Sequence, residues 1–448
     1  MNRREFLKQA GIAVAALTLP WALPGGLRAA ESASAKPNII FILSDDVGLG
    51  QIGCFGSDHY KTPRIDALAK SGTRYDQCFS TPLCGPSRCQ ILTGRYPFRT
   101  GMIANGSGGE LSPENEIMTP TVLKKAGYVT AQIGKWQQLP LQPGDWGFDE
   151  YLRFVGSGKY WAEQDPTYTL NGNKVDLPKG KHVPDVMHEF LIDFITRHKD
   201  QPFYVHYAMS HIHGPIMRTP DSTATSDHYA DNIAYMDKLV GKLVDELERL
   251  KLRDNTLIIF VGDNGTAPPH ADKSTVRGRR LSGQKGTMLE GGSRVPMIVS
   301  WPGTTPAGKV NKDLVDFSDY LPTFAALAGA KLPDDRPIDG QSFAPRLKGK
   351  KGNPREWVYV ELNGKWYVRG QDWKLTREGE LFDMAEAPFV EKPVPADTTD
   401  PKAIAARKNL QAVLDKLNPA AGKQKIVPAA KKKRKNQNKQ KNQPAPAN

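Results

Sequence analysis

Cysteine is scarce in this sequence. Its four residues, Cys54, Cys78, Cys84 and Cys89, are too few to staple 448 residues together, which excludes a disulfide-framework protein. If chemistry consumes one of them, an odd three remain, so no obligatory bridge is expected. Long apolar runs are scarce too. Gly11–Leu23 is too short to span a bilayer comfortably, and no other stretch is long and apolar enough, so no membrane span is expected in the mature protein. No internal repeat is evident, which argues against solenoids and propellers. Net charge is missing from the body of the chain. The formal charge is +13, but residues 1–30 hold four Lys/Arg against one Glu, and residues 419–448 hold nine Lys/Arg and no acid. Taking away those +3 and +9 leaves about +1 for everything between. A near-neutral body has no broad electrostatic footprint for nucleic acid, and no nucleic-acid partner is expected. The 419–448 tail also lacks apolar residues almost entirely, and its Lys/Gln/Asn/Pro/Ala composition reads as disordered.

What is present begins with a leader. Arg3–Arg4, then Phe6-Leu7-Lys8, the short apolar run, and small residues at Ala29–Ala30 read as an export signal over residues 1–30. The arginine pair resembles a twin-arginine signal. It implies a bacterial protein exported to the periplasm or beyond. The remainder is long enough to bury a sizeable core, expected in two domains.

Two stretches look like buried parallel strands that end in oxygen ligands. Asn38–Leu43 is continuously apolar and runs into Ser44-Asp45-Asp46. Thr256–Val261 repeats the pattern and ends in Gly262-Asp263-Asn264-Gly265. Adjacent strand residues point to opposite faces, so Asp45 and Asp46 can share a site only if the strand has already ended. Ligand sites in open α/β sheets lie at such carboxyl ends. Three carboxylates and an amide suit a hard cation, Ca²⁺ or Mg²⁺. Between them lies Ser80–Arg95, STPLCGPSRCQILTGR. Pro86 is well placed to open a helix and Gly94 to stop it, with Cys84 just ahead of the N-terminus. Free N–H groups there, and Arg88 one turn in, favour a sulfate- or phosphate-like anion.

Cys84-Gly-Pro86-Ser87-Arg88 followed by Leu92-Thr93-Gly94-Arg95 resembles the signature of the type I sulfatases of the alkaline phosphatase superfamily. The likeness continues through Thr62–Leu68, Gly134-Lys135-Trp136-Gln137, Pro143–Tyr151, His213-Gly-Pro, Gly283–Thr287, Glu290–Pro296 and Ser318–Thr323, over roughly residues 37–390. The resemblance implies that a separate maturation enzyme oxidises Cys84 to formylglycine. A thiolate attacking sulfur would leave a stable S-sulfonate. A hydrated aldehyde offers one hydroxyl to attack the ester and a second whose deprotonation expels sulfate. It further implies that Asp45, Asp46, Asp263 and Asn264 hold Ca²⁺, with Mg²⁺ as the alternative. Arg88, Lys135 and Lys285 would contact the sulfate, and His213 would protonate the leaving oxygen. His211, Gln137, Arg279 and Arg280 are further substrate-binding candidates. Gln137 departs from the family, which has a histidine there, and an amide cannot act as a base near neutral pH.

The implied fold is α/β: a large α/β/α sandwich with a mostly parallel central sheet, plus a smaller C-terminal α+β subdomain with an antiparallel sheet. The expected organisation is a signal over 1–30, a catalytic domain over 31–330, a C-terminal subdomain over 331–418 and a basic tail over 419–448. The expected activity is release of sulfate from a sulfated glycan. The alternatives are a phosphonate or phosphodiester hydrolase on the same fold, and a non-catalytic glycan-binding relative suggested by Gln137.

Overall fold

A computed structural model of the chain describes residues 36–136 and 139–423. The expected export signal, Gln137 and the tail beyond residue 423 lie outside the described residues. Ten strands form one sheet: β1 Asn38–Ser44, β2 Thr73–Phe79, β3 Val129–Lys135, β4 Glu150–Phe154, β5 Thr167–Leu170, β6 Asn173–Asp176, β7 Phe203–Ala208, β8 Thr256–Gly262, β9 Arg294–Ser300 and β10 Lys309–Asp316. Their order is β10-β2-β9-β8-β1-β7-β3-β4-β5-β6. The central run β8-β1-β7-β3-β4 is parallel throughout. β9 runs antiparallel between β2 and β8, and the β5–β6 hairpin finishes the far edge.

The continuous apolar sequence of β1 follows from being covered on both faces. Ile40 and Ile42 enter one core, whereas Ile39, Phe41 and Leu43 enter the other. The period-two alternation is intact, but neither face sees water. Helix His228–Arg249 packs on the first face through Ile233, Met236, Leu239, Val240, Leu243 and Leu247. The Asp227 side chain caps it, accepting from the Tyr229 and Ala230 N–H groups. The second face carries helix Cys84–Thr93, with Cys89, Ile91 and Leu92 buried against the strands. This helix starts at Cys84, two residues earlier than the sequence suggested. Its first backbone bond runs from Ser87 N–H to the Leu83 carbonyl, so Pro86 still falls in the first turn, where no N–H is required. Gly94 ends it at φ 66°, as expected of a left-handed stop. All four cysteines are free thiols.

A second, antiparallel sheet follows: β11 Val358–Leu362, β12 Lys365–Arg369, β13 Trp373–Thr376, β14 Leu381–Asp383 and β15 Lys392–Val394. Asn363 and Gly364, both at positive φ, make the two-residue turn between β11 and β12. Helix Pro401–Leu417 buries Ala403, Leu410 and Leu414 against this sheet. No described helix is long and apolar enough to cross a membrane.

Glu361 on β11 is a buried carboxyl here, accepting from Tyr359 Oη at 3.1 Å. Burial, against hydrogen bonds from Tyr359 and the Phe98 N–H, pushes it up to about 7. A group whose folded value is raised stabilises the fold when protonated, and that contribution is lost as pH rises toward 7. Its size is up to about 3 kcal/mol. Glu361→Gln is therefore expected to raise Tm relative to the parent at pH 8 more than at pH 5, as read by thermal melts at both pH values.

Candidate active site

Strands β8, β1, β7 and β3 are neighbours and end together at one edge of the sheet. β1 stops at Ser44 and hands over to Asp45 and Asp46. Asp46 has φ 62°, a left-handed conformation that aspartate tolerates better than most residues. The strand has therefore ended, and both carboxylates serve one pocket. β8 delivers Asp263 and Asn264, β3 ends on Lys135, and the loop after β7 carries His211 and His213. Cys84 and Arg88 arrive on their helix, and Lys285 on the loop before β9.

The two oxygen-bearing pairs are tied directly. Asp46 N–H donates to Asp263 Oδ1 at 3.0 Å, and Asn264 Nδ2 donates to Asp46 Oδ1 at 2.9 Å. One ligand atom from each of Asp45, Cys84 and Asp263 lies within 4.8 Å of the others, and the same holds for Asp45, Asp46 and His213. Three cations face the three carboxylates. Lys135 Nζ lies 2.8 and 3.0 Å from the Asp45 oxygens. Arg88 Nη2 lies 2.6 Å from Asp263 Oδ2 and 3.6 Å from Asp45 Oδ1. Lys285 Nζ is 2.5 Å from Asp46 Oδ1. The cluster is nearly closed to solvent, so its charges survive burial only by balancing one another.

That balance is uneven. Burial pushes the Asp45 carboxyl up, but Lys135 and Arg88 together outweigh it and hold Asp45 below the ordinary carboxylate range. Asp263 goes the other way, because burial and the Asp45 charge prevail over Arg88 and Lys135. At Cys84, burial raises the thiol more than Lys135 lowers it. The unmodified sulfur is thus held protonated and is a poor nucleophile.

The family model described as Sulfatase matches residues 37–330, and one described as N-sulphoglucosamine sulphohydrolase, C-terminal, matches residues 283–413. The chain belongs to the sulfatase family. It is 32% identical to human N-acetylgalactosamine-6-sulfatase over 350 residues, 71% of this chain and 67% of the relative. It is 30% identical to human arylsulfatase D over 444 residues, covering 78% and 74% of the two chains. The structure of Ps i-CgsB in complex with k-i-k-neocarrahexaose superposes with a TM-score of 0.72 at 28% identity, covering 85% of this chain and 92% of that one. PsFucS1 sulfatase from Pseudoalteromonas sp. gives 0.69 at 26% identity, with 85% and 91% covered. The α/β fold with a mostly parallel sheet and a separate antiparallel sheet is that of these sulfatases.

Not every expected residue reaches the sulfatase site. The His211 ring is fully buried, 5.7 Å from Tyr160 and 6.2 Å from Tyr235 between centroids. Burial pushes it down to about 3. The side chain is closed off from a substrate, which corrects its reading as a binding residue. Its contribution is a backbone one: Asp45 N–H donates to the His211 carbonyl at 2.6 Å, and Ile212 N–H donates to the Asp45 carbonyl at 2.5 Å. Arg279 and Arg280 are exposed but engaged. Arg279 pairs with Glu386 and lies over the Phe389 ring; Arg280 pairs with Asp272.

The site also holds residues that the motifs did not reveal. Asn105 Oδ1 accepts from Gly85 N–H at 2.8 Å, and its Nδ2 donates to Cys84 Sγ at 3.5 Å. It caps an orphan donor of the helix and touches the Cys84 sulfur. His206 on β7 shares a small space with Arg88, Lys135 and Trp136. Burial, with a contribution from Arg88, pushes it down to about 3, so it stays neutral and is a weak base. Nothing in the sequence around Asn105 marks it, because its role arises only from the path of the loop after Thr100.

Proposed function

We propose that this sulfatase removes a sulfate from a hydroxyl of a sulfated glycan, using Cys84 as its formylglycine derivative and a Ca²⁺ ion. The observation that carries this reading is the meeting of Cys84 with Asp45 and Asp263 inside 4.8 Å, ringed by Arg88, Lys135 and Lys285.

The residues fit a hard cation. Asp45, Asp46, Asp263 and Asn264 offer oxygen only. Asn264 Oδ1 is buried and has no hydrogen-bond partner among the described residues, a cost that coordination would offset. When bound, the cation supplies positive charge beside the sulfuryl oxygens. The hydrated aldehyde at position 84 supplies a hydroxyl where a buried thiol cannot act, and a second hydroxyl for the release step.

The remaining work belongs to the chain itself. Arg88, Lys135 and Lys285 now rest on carboxylates and are placed to hold the oxygens of a sulfate group. His213 Nδ1 lies 2.6 Å from the Gly214 carbonyl, which can only accept, so Nδ1 carries the hydrogen. That leaves Nε2, 3.8 Å from Asp46 Oδ2, as the nitrogen that faces the cleft. In the imidazolium form, with a hydrogen on both ring nitrogens, it passes the Nε2 proton to the leaving alcohol, and the ring is left as the Nδ1–H tautomer. Gln137 supplies no base, and His206 and His211, both held near 3 by burial, are too weak to replace one. Arg279 and Arg280, each now paired with an acid, are the candidate contacts for further anionic groups of the substrate. A relative holding a neocarrahexaose and another named for N-acetylgalactosamine-6-sulfate support a carbohydrate substrate. The Arg3–Arg4 leader supports a site of action outside the bacterial inner membrane, after a formylglycine-generating enzyme has acted.

Matched sulfate and phosphate esters of one sugar test the reading. The sulfate ester is expected to react at least about 100-fold faster in kcat/KM, a difference of about 2.7 kcal/mol in the barrier. A phosphate ester that reacts as fast would contradict it.

A further inference from the structure

The loop that carries His213 is clamped from two sides. On the sheet side, Met209 N–H donates to the Leu43 carbonyl at 3.0 Å, Asp45 N–H donates to the His211 carbonyl, and the Asp45 carbonyl accepts from Ile212 N–H. The turn closes on itself through His213 N–H to the Ser210 carbonyl at 3.1 Å. On the other side lies a strap, residues 158–164, from a distant part of the chain. Tyr160 is fully buried, and its hydroxyl reaches the carbonyl of His213 at 2.9 Å and that of Ser210 at 3.3 Å. Its ring packs against His211. Gly158 presses so closely that a Cβ there would stand 2.3 Å from the Gly214 carbonyl oxygen. Gln164 clasps the strap, accepting from the Tyr160 and Trp161 N–H groups at 2.8 and 3.0 Å and donating to the Gly158 carbonyl at 3.1 Å. Val183 N–H donates to the Tyr160 carbonyl at 2.8 Å, anchoring the strap to the following helix.

We infer that Tyr160 is a positioning residue for the acid His213. Its hydroxyl donates to the main chain of the residue whose imidazole must reach the leaving oxygen. The sheet-side bonds fix the Asp45 end of the loop, and Tyr160 fixes the His213 end. Tyr160 makes no described hydrogen bond to the carboxylates or to Cys84; its hydroxyl reaches only the carbonyls of Ser210 and His213, the two ends of the turn that carries the imidazole. This inference rests on the reading of His213 as proton donor.

Proton donation matters most for a poor leaving group, and that gives the test. Tyr160→Phe keeps the ring and removes only the hydroxyl. In the matured full-length enzyme, kcat is measured over a series of aryl sulfates of rising leaving-group pKa, with Tm as a check on folding. The variant is expected to lose less than about 2-fold on the most acidic phenol and about 10-fold on the least acidic, steepening the dependence. His213→Ala, run alongside, is expected to steepen it further. A Tyr160→Phe enzyme that is folded and loses activity equally across the series, or not at all, overturns the inference. If His213→Ala itself leaves the slope unchanged, the reading of His213 fails instead. If Tyr160→Phe does not fold, Gln164→Ala, which loosens the clasp without entering the core of the loop, is measured on the same series. A flat response there overturns the inference equally.

Discussion

Replacing Cys84 by alanine is expected to lower sulfate release by at least about 10⁴-fold, with the fold retained. Loss of a covalent nucleophile removes the reaction path rather than one contact, so effects of this size follow. The structural cost is small by comparison. One buried sulfur leaves the first turn of a helix, and alanine suits a helix better than cysteine does. Asn105 loses its donation to the sulfur but keeps the bond from Gly85 N–H. Arg88, Lys135 and Lys285 are untouched, so a sulfated ligand is expected to bind with affinity near that of the parent. Sulfate-release assays and ligand titration on the same preparation check both halves. Retained turnover would remove Cys84 from the chemistry.

Asp263→Asn carries the second large effect. The substitution is nearly isosteric and takes one of three carboxylates from the cluster. It also breaks the 2.6 Å charge pairing with Arg88 Nη2. Burial and the Asp45 charge already disfavour an ionised Asp263, so the fold tolerates an amide there better than its position suggests. Cation binding is another matter, because charge count sets affinity for hard ions. In the parent, Ca²⁺ at about 100 times its Kd is expected to add roughly 2.7 kcal/mol of stability, read as a rise of a few degrees in Tm. Asp263→Asn is expected to lose most of that rise and at least about 10³-fold in turnover. An unchanged Ca²⁺ response in the variant would place the ion elsewhere.

Much of this site could be read before the fold was known, and the reason is local. A run such as Asn38–Leu43 has one comfortable home, a strand covered on both faces, and whatever follows it lies at a ligand-binding edge. That logic put Asp45, Asp46, Asp263 and Asn264 together, and the left-handed φ at Asp46 shows how two adjacent side chains share one pocket. Lys135, Lys285 and His213 followed from family motifs, and the Cys84 helix from Pro86 and Gly94 at its ends. The misreadings have physical causes. His211 and His213 sit two apart in a turn, where spacing says nothing about direction; one ring went into the core and the other to the cleft. The Cys84 helix opens at Cys84 because its first turn needs no donor from Pro86, so proline does not mark the boundary. Asn105 and Tyr160 act through loops whose paths depend on tertiary packing, and no periodicity encodes them. Helix Pro401–Leu417 was not foreseen, although Asp400 caps it and Pro401 opens it.

The most direct measurement is mass spectrometry of the peptide containing Cys84, taken from enzyme purified as an active sulfatase from its own host. The account predicts that the thiol is gone and that an aldehyde or its hydrate stands in its place. An intact cysteine thiol in fully active enzyme would contradict it.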